Sequence, residues 1–207
     1  MNTSGKNDAA SRQYRVRAIV VTAIMGAAGA ALMFVEFSIP IMPVFIKLDF
    51  SEIPALLAAF AYGPGWGVLV CLIKNLLHMP FGSTMAIGEL SNFILGSAFT
   101  LTAGLIYKRS KTKKTAIAAC LIGSFAMAAV SVPANYFVIY KLFFKYVLGE
   151  DAIIGMYSSI LPAADNLIKA LLIFNLPFTL CKGLIDSFVC ILLYKHLSPF
   201  IKGKKSA

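Results

Sequence analysis

The sequence predicts an all-α, polytopic membrane protein of six transmembrane helices, the second of them short, and three observations carry that prediction. The 207 residues are 59% apolar and 14% charged, against roughly 45–50% and about 25% for a soluble domain. Mean hydropathy is +0.81, and several stretches reach the about 20 apolar residues that a bilayer crossing requires. The basic residues fall into three clusters. Lys6, Arg12, Arg15 and Arg17 precede the first apolar stretch; Lys108, Arg109, Lys111, Lys113 and Lys114 lie mid-chain; Lys195, Lys202, Lys204 and Lys205 close it.

Such clusters mark cytoplasmic loops and tails. They account for the net charge of +10 without a nucleic-acid partner, and none is expected. Cys71, Cys120, Cys181 and Cys190 all sit in apolar segments without metal-type spacing, so neither a disulfide nor a metal site is expected. The first apolar segment, 18–39, exceeds the ~7–15 residues of a signal-peptide core and is followed by further spans, so it reads as a span.

Residues 1–17 read as a disordered, basic cytoplasmic tail. The first span, 18–39, is stopped by Pro40 and Pro43. Along it Ala23, Ala27 and Ala31 recur every fourth residue beside a Gly26 and Ala30 row, leaving one flank nearly bare of side chain and open to close helix approach. After an outer loop at 40–51, Ser51 is placed to cap a helix from Glu52 to Tyr62, with Pro54 in its first turn. Gly63, Pro64 and Gly65 then break it, after about half of a ~30 Å hydrocarbon core.

A third segment, 66–78, returns the chain. Non-helical backbone at membrane depth is tolerated only against protein or a water-filled cavity, so this short-armed pair points to a cavity. A fourth span is predicted at 85–107 and a fifth at 115–140, interrupted near Pro133, Ala134 and Asn135. A mixed outer segment, 141–176, holds a helical piece at 165–174 too short to cross. The last span is 177–197, and 198–207 is a second basic cytoplasmic tail. If the three basic clusters share the cytoplasmic side, an even number of crossings separates each neighbouring pair, and four followed by two satisfies this. The membrane domain is therefore 18–197.

Ionisable groups inside a bilayer are rare, since each costs about 2.5–3.5 kcal/mol at the centre even on lenient scales. Here they recur with helical spacing: Lys74, Asn75 and His78; Glu89, Asn92 and Gly96; Asn135; and Asn175, Thr179, Lys182 and Asp186. All but Asp186 fall in the outer halves of their segments, so they converge on one outward-opening cavity. Single-residue explanations compete. Lys182 and Asp186 could pair one helical turn apart, Lys74 and His78 could snorkel to the headgroups, and Glu52 and Glu89 suit first-turn positions where the helix dipole favours acids. Donors and acceptors with little net charge, set among flat aromatic walls, suit an uncharged, ring-bearing solute. No phosphate loop, zinc motif or nucleophile elbow occurs, so catalysis is not expected.

The run Lys47-Leu-Asp-Phe-Ser-Glu-Ile-Pro-Ala55, followed by Tyr62-Gly-Pro and Lys74-Asn75-Leu-Leu-His78, resembles the riboflavin-specific substrate-binding (S) components of energy-coupling factor (ECF) vitamin transporters. Gly88-Glu89-Leu-Ser-Asn92, Asn135-Tyr136 and Pro177-Phe-Thr-Leu-Cys-Lys182-Gly183 extend the likeness over about residues 18–197. The resemblance implies a subunit of a bacterial cell membrane, both termini cytoplasmic, that captures riboflavin from outside. It would dock on a transmembrane coupling subunit bearing two cytoplasmic ATPases. Riboflavin would be transported ligand, with no resident cofactor.

By this likeness Lys47, Leu48, Asp49, Asn135, Thr179 and Lys182 contact the ligand, joined from the polar sets by Asn75, Glu89 and Asn92. The family usually carries Asn where this chain has Thr179, which reaches less far. Ala23, Ala27 and Ala31 would meet the coupling subunit. Two other readings stand beside it: the same architecture holding another vitamin, and an integral-membrane enzyme using Glu89 or Asp49 as a base on a lipid. A reporter fused at residue 112 is expected to be cytoplasmic; activity outside the cell would overturn the topology.

Overall fold

The computed structural model describes residues 3–82 and 84–201, with side-chain surroundings described for 11–82 and 84–194. The expected basic tail beyond Ile201, and the side chains of Lys195 and His196, lie outside the described residues. Helix α1 runs Thr3–Met33. The expected boundary near residue 18 is absent, and the basic N-terminal stretch from Thr3 continues the first helix. The helix also ends six residues short of 39. Phe37–Ser38 (β1) leaves it to pair antiparallel with Lys47–Leu48 (β2), Phe37 opposite Leu48 and Ser38 opposite Lys47. Pro40 and Pro43 occupy the turn between the two strands, where a missing N–H breaks no ladder.

Helix α2, Glu52–Tyr62, has 11 residues and spans about 16 Å. Glu52 to Phe60 are all buried, because α2 packs against α1 and against the helices Pro64–His78 (α3), Ile87–Arg109 (α4) and Leu176–Ile201 (α9). A helix apolar on every side belongs inside a bundle, so α2 is its hub rather than a lipid-facing span. Gly63 turns the chain with φ of 112°, a left-handed-side conformation that glycine adopts without steric penalty. Helix α3 then starts at Pro64, two residues earlier than expected, and runs to His78. Proline at the first position is favoured there, since its missing N–H would have been unpaired.

Helix α4 is Ile87–Arg109. Met85 and Ala86 have positive φ, which delays the helix past the expected 85, and Thr84 Oγ1 accepts the Gly88 N–H at 2.9 Å. Helix α5, Lys113–Ala134, does not stop at Pro133. It continues through a π-helical turn, Asn135–Ile139, into α6, Tyr140–Tyr146. After α7, Glu150–Ser158, the chain enters α8, Leu167–Ala170, a second π turn, Leu171–Asn175, and α9, Leu176–Ile201. The separate short helix expected at 165–174 is therefore the N-terminal end of the last long apolar stretch, Leu167–Tyr194. In both places a proline, which cannot donate to the helical ladder, lies two residues from the π turn.

Among the described residues four helical stretches are long and apolar enough to cross a membrane: Ser11–Met33, Ile87–Arg109, Lys113–Tyr146 and Leu167–Tyr194. Two large apolar clusters form the core, with a smaller third, Ala55, Ala58, Val70 and Cys71, between α2 and α3. One gathers Phe60, Phe99, Tyr107, Met127 and Tyr194 from α2, α4, α5 and α9. The other gathers Tyr140, Phe143, Ile153, Tyr157 and Phe174 from α6, α7 and the second π turn.

Close approach of α2 and α3 depends on Gly67, where a Cβ would lie 2.7 Å from Ala59 Cβ and 2.9 Å from the Ala55 carbonyl oxygen. Gly67→Val is expected to destabilise the purified protein by about 1–3 kcal/mol through overpacking, read as a lower thermal midpoint in detergent; an unchanged midpoint would contradict this packing.

Candidate functional site

The segment after β2 carries the first charges. Asp49 Oδ1 accepts the Ser51 N–H at 2.8 Å, and the Ser51 hydroxyl does not make the expected capping bond. That hydroxyl accepts from Lys74 Nζ at 2.6 Å, and the same ammonium donates to Glu52 Oε1 at 2.6 Å. Lys74 and Glu52 are both 0% exposed. Lys74 therefore does not snorkel, and Glu52 is not a solvated first-turn acid: they are a buried ion pair joining α2 to α3. Gly96 on α4 makes room for it, since a Cβ there would lie within 2.7 Å of the Glu52 carboxylate.

Asp49 Oδ2 accepts from Lys182 Nζ on α9 at 2.6 Å. The expected alternative, Lys182 with Asp186, is not made. Burial alone raises the Asp49 carboxyl, but the Lys182 and Lys74 ammoniums outweigh it and hold it well below the usual carboxylate range. Glu36 pairs with Lys47 across the hairpin, and Glu89 Oε1 lies 2.9 Å from His78 Nδ1.

These groups border a cavity of about 300 Å³ between the two apolar clusters. The hairpin segment contributes Glu36, Phe45, Lys47 and Asp49; α4 contributes Glu89 and Asn92; α5 and its π turn contribute Met127 and Asn135; the last helix contributes Asn175, Phe178, Thr179 and Lys182. Of the residues singled out from sequence, Lys47, Asp49, Glu89, Asn92, Asn135, Thr179 and Lys182 are brought together here. Leu48 and Asn75 are not among the lining residues; Asn75 Nδ2 donates to the Cys71 carbonyl of its own helix at 2.7 Å.

Both π turns open onto the cavity. Asn135, which begins one, accepts from Ser91 Oγ at 3.1 Å. Asn175, which ends the other, accepts from Tyr157 Oη at 2.7 Å, and the Tyr157 and Tyr140 hydroxyls are bonded to each other. Phe45, Tyr140, Phe143 and Phe178 add flat walls. Sequence reasoning did not single out Glu36, Tyr140 or Phe178. The proline near each π turn was the available signal for Tyr140 and Phe178; Glu36 had none, because its role depends on the hairpin.

On α1 the two small-residue rows separate. Gly26, Gly29 and Ala30 are buried, with Gly26 against Ile73 and Gly29 against Lys74 of α3, whereas Ala23, Ala27 and Ala31 are exposed.

Residues 17–194 match the family model for the substrate-specific component of ECF transporters. The chain is 35% identical to the riboflavin transporter RibU of Staphylococcus aureus, over 89% of this chain and 92% of that one. It is 29% identical to the riboflavin transporter FmnP of Bacillus subtilis, over 93% and 98%. Among solved structures, the S component of a bacterial ECF transporter aligns with a TM-score of 0.72 at 34% identity, covering 91% of this chain and 99% of that one. ThiT from Listeria monocytogenes shares the fold, with a TM-score of 0.61 at 17% identity over 90% and 97%. The chain belongs to the substrate-specific components of ECF transporters.

Proposed function

We propose that this chain captures riboflavin for an ATP-driven ECF-type importer and presents it to a transmembrane coupling subunit carrying two cytoplasmic ATPases. It is a transport protein of the membrane, not an enzyme. The observation that carries the ligand assignment is the lining of the cavity: each lining acid has a basic partner (Glu36 with Lys47, Asp49 with Lys182, Glu89 with His78) among six Phe and Tyr rings. Partnered acids and bases offer oriented donors and acceptors, which suits a neutral, flat ring carrying a hydroxylated chain. The relatives named as riboflavin transporters support the same ligand.

In this reading the rings of Phe45 and Phe178 flank the flavin. Lys47, Asp49, Asn135, Thr179 and Lys182 supply hydrogen bonds, with Glu89 and Asn92 completing the polar wall. The Glu89 Oε2 atom has no partner among the described residues and is available to a ligand donor. Leu48 and Asn75 would act indirectly, through the hairpin pairing and the α3 backbone. The α2–α3 pair would supply two of six crossings, with both termini cytoplasmic and the cavity facing outward. Ala23, Ala27 and Ala31 form an exposed strip bare of long side chains on α1, suited to a close helix contact with the coupling subunit.

Lys182→Ala is expected to weaken riboflavin binding more than tenfold, because it removes a donor and strands a buried carboxylate; unchanged affinity by flavin fluorescence quenching would refute the assignment. Ala27→Trp is expected to abolish uptake in cells with the coupling module while leaving binding by the purified subunit intact. Equal loss of both would place this face in internal packing instead.

A further inference from the structure

Asp186 lies on α9 one helical turn beyond Lys182 and is 0% exposed. Neither of its carboxylate oxygens has a hydrogen-bond partner among the described residues. The hydroxyls of Ser187, next in the chain, and Ser124 are engaged elsewhere: they lie 2.9 Å apart, and the Cys120 carbonyl oxygen lies 2.9 Å from Ser124 Oγ and 3.2 Å from Ser187 Oγ, so their two protons serve these contacts. An acid without a hydrogen-bond partner inside a membrane bundle is a persistent liability, and the Lys182 and Lys74 ammoniums that attract it do not hydrogen-bond it.

The charges that act most strongly on Asp186 are Lys182, Glu52, Asp49 and Lys74. Lys74 already donates to both Ser51 and Glu52. Lys182 is different: the protein partner it has is Asp49, which follows directly on the hairpin that borders the cavity. That bond joins positions 133 residues apart and ties the hairpin segment to α9. When the segment moves to admit a ligand, Lys182 would be left as a buried, unpaired ammonium, a strongly unfavourable state. Residues four apart on a helix share one face, so Asp186 is within reach of the same ammonium once Asp49 departs.

We propose that Asp186 is the second seat of the Lys182 ammonium: a positioning residue that receives the lysine when Asp49 is drawn away, and so sets how readily the hairpin segment parts from α9. It touches no ligand. The inference rests on the reading of the cavity as a loading site, but it is tested in ligand-free protein, so a failure of riboflavin to bind would leave the test unaffected.

The experiment is hydrogen–deuterium exchange of the backbone amides at 45–51 in purified, ligand-free protein. Asp186→Asn removes the competitor for Lys182 while keeping the shape, so these amides are expected to exchange about tenfold more slowly. Asp186→Ser, with less bulk, is expected to slow them in the same direction. In a Lys182→Met background Asp186→Asn is expected to change nothing, because there is no ammonium to receive. A residue that only packs would give the opposite sign, since loosening the core speeds exchange. Unchanged or faster exchange in both single variants, or slowing that persists without Lys182, would overturn the proposal.

Discussion

Charge buried inside a bilayer must be matched, and the matching of Asp49, Glu52, Lys74 and Lys182 is the constraint on which this structure depends. Two ion pairs meet at Ser51, whose hydroxyl accepts from Lys74 while its N–H donates to Asp49. One pair locks α2 to α3, and the other locks the hairpin segment to α9. Buried pairs of this kind contribute little net stability, because desolvation offsets most of the attraction, but breaking one is severe. Their effect is to specify which helices meet and in what register. The short α2 follows from the same constraint: it carries Glu52 into the interior at its first turn and is buried along its length to Phe60.

The two π turns shape the cavity that the Asp49–Lys182 pair borders. Each carries an Asn at one end, Asn135 and Asn175, and each lies near a proline that cannot donate to the regular ladder. A helix bonded normally there would rotate these amides by a fraction of a turn. The resulting cavity is polar on the hairpin and helix sides and aromatic between, as a ligand with a flat ring and a hydroxylated chain requires. The scaffold does not choose the ligand; the lining residues do.

Much of this was legible in the sequence, and the remainder failed for identifiable reasons. The break at Gly63, the stripe Asn175, Thr179 and Lys182, and the convergence of Asp49, Glu89 and Asn135 follow from periodicity and from the penalty on membrane charge. Partner choice did not follow. Glu52 and Lys74 are 22 positions apart, and Asp49 and Lys182 are 133 apart, so local spacing favoured the wrong partners: headgroups for Lys74 and Asp186 for Lys182. Helix ends failed where the chain paired or shifted register out of sight of local pattern, at Phe37–Ser38 and at the two π turns. The small residues of α1 were visible as two rows, but only packing against Ile73 and Lys74 separates the inward Gly26 and Gly29 from the outward Ala23, Ala27 and Ala31.

The aromatic-walled cavity with its partnered acids is read as a riboflavin site, which calorimetric titration of the purified, ligand-free subunit with riboflavin, and in parallel with biotin, can decide. Saturable heat corresponding to about one riboflavin per chain is expected, and no heat of binding with biotin. Binding of biotin, or no saturable heat with riboflavin, would contradict it.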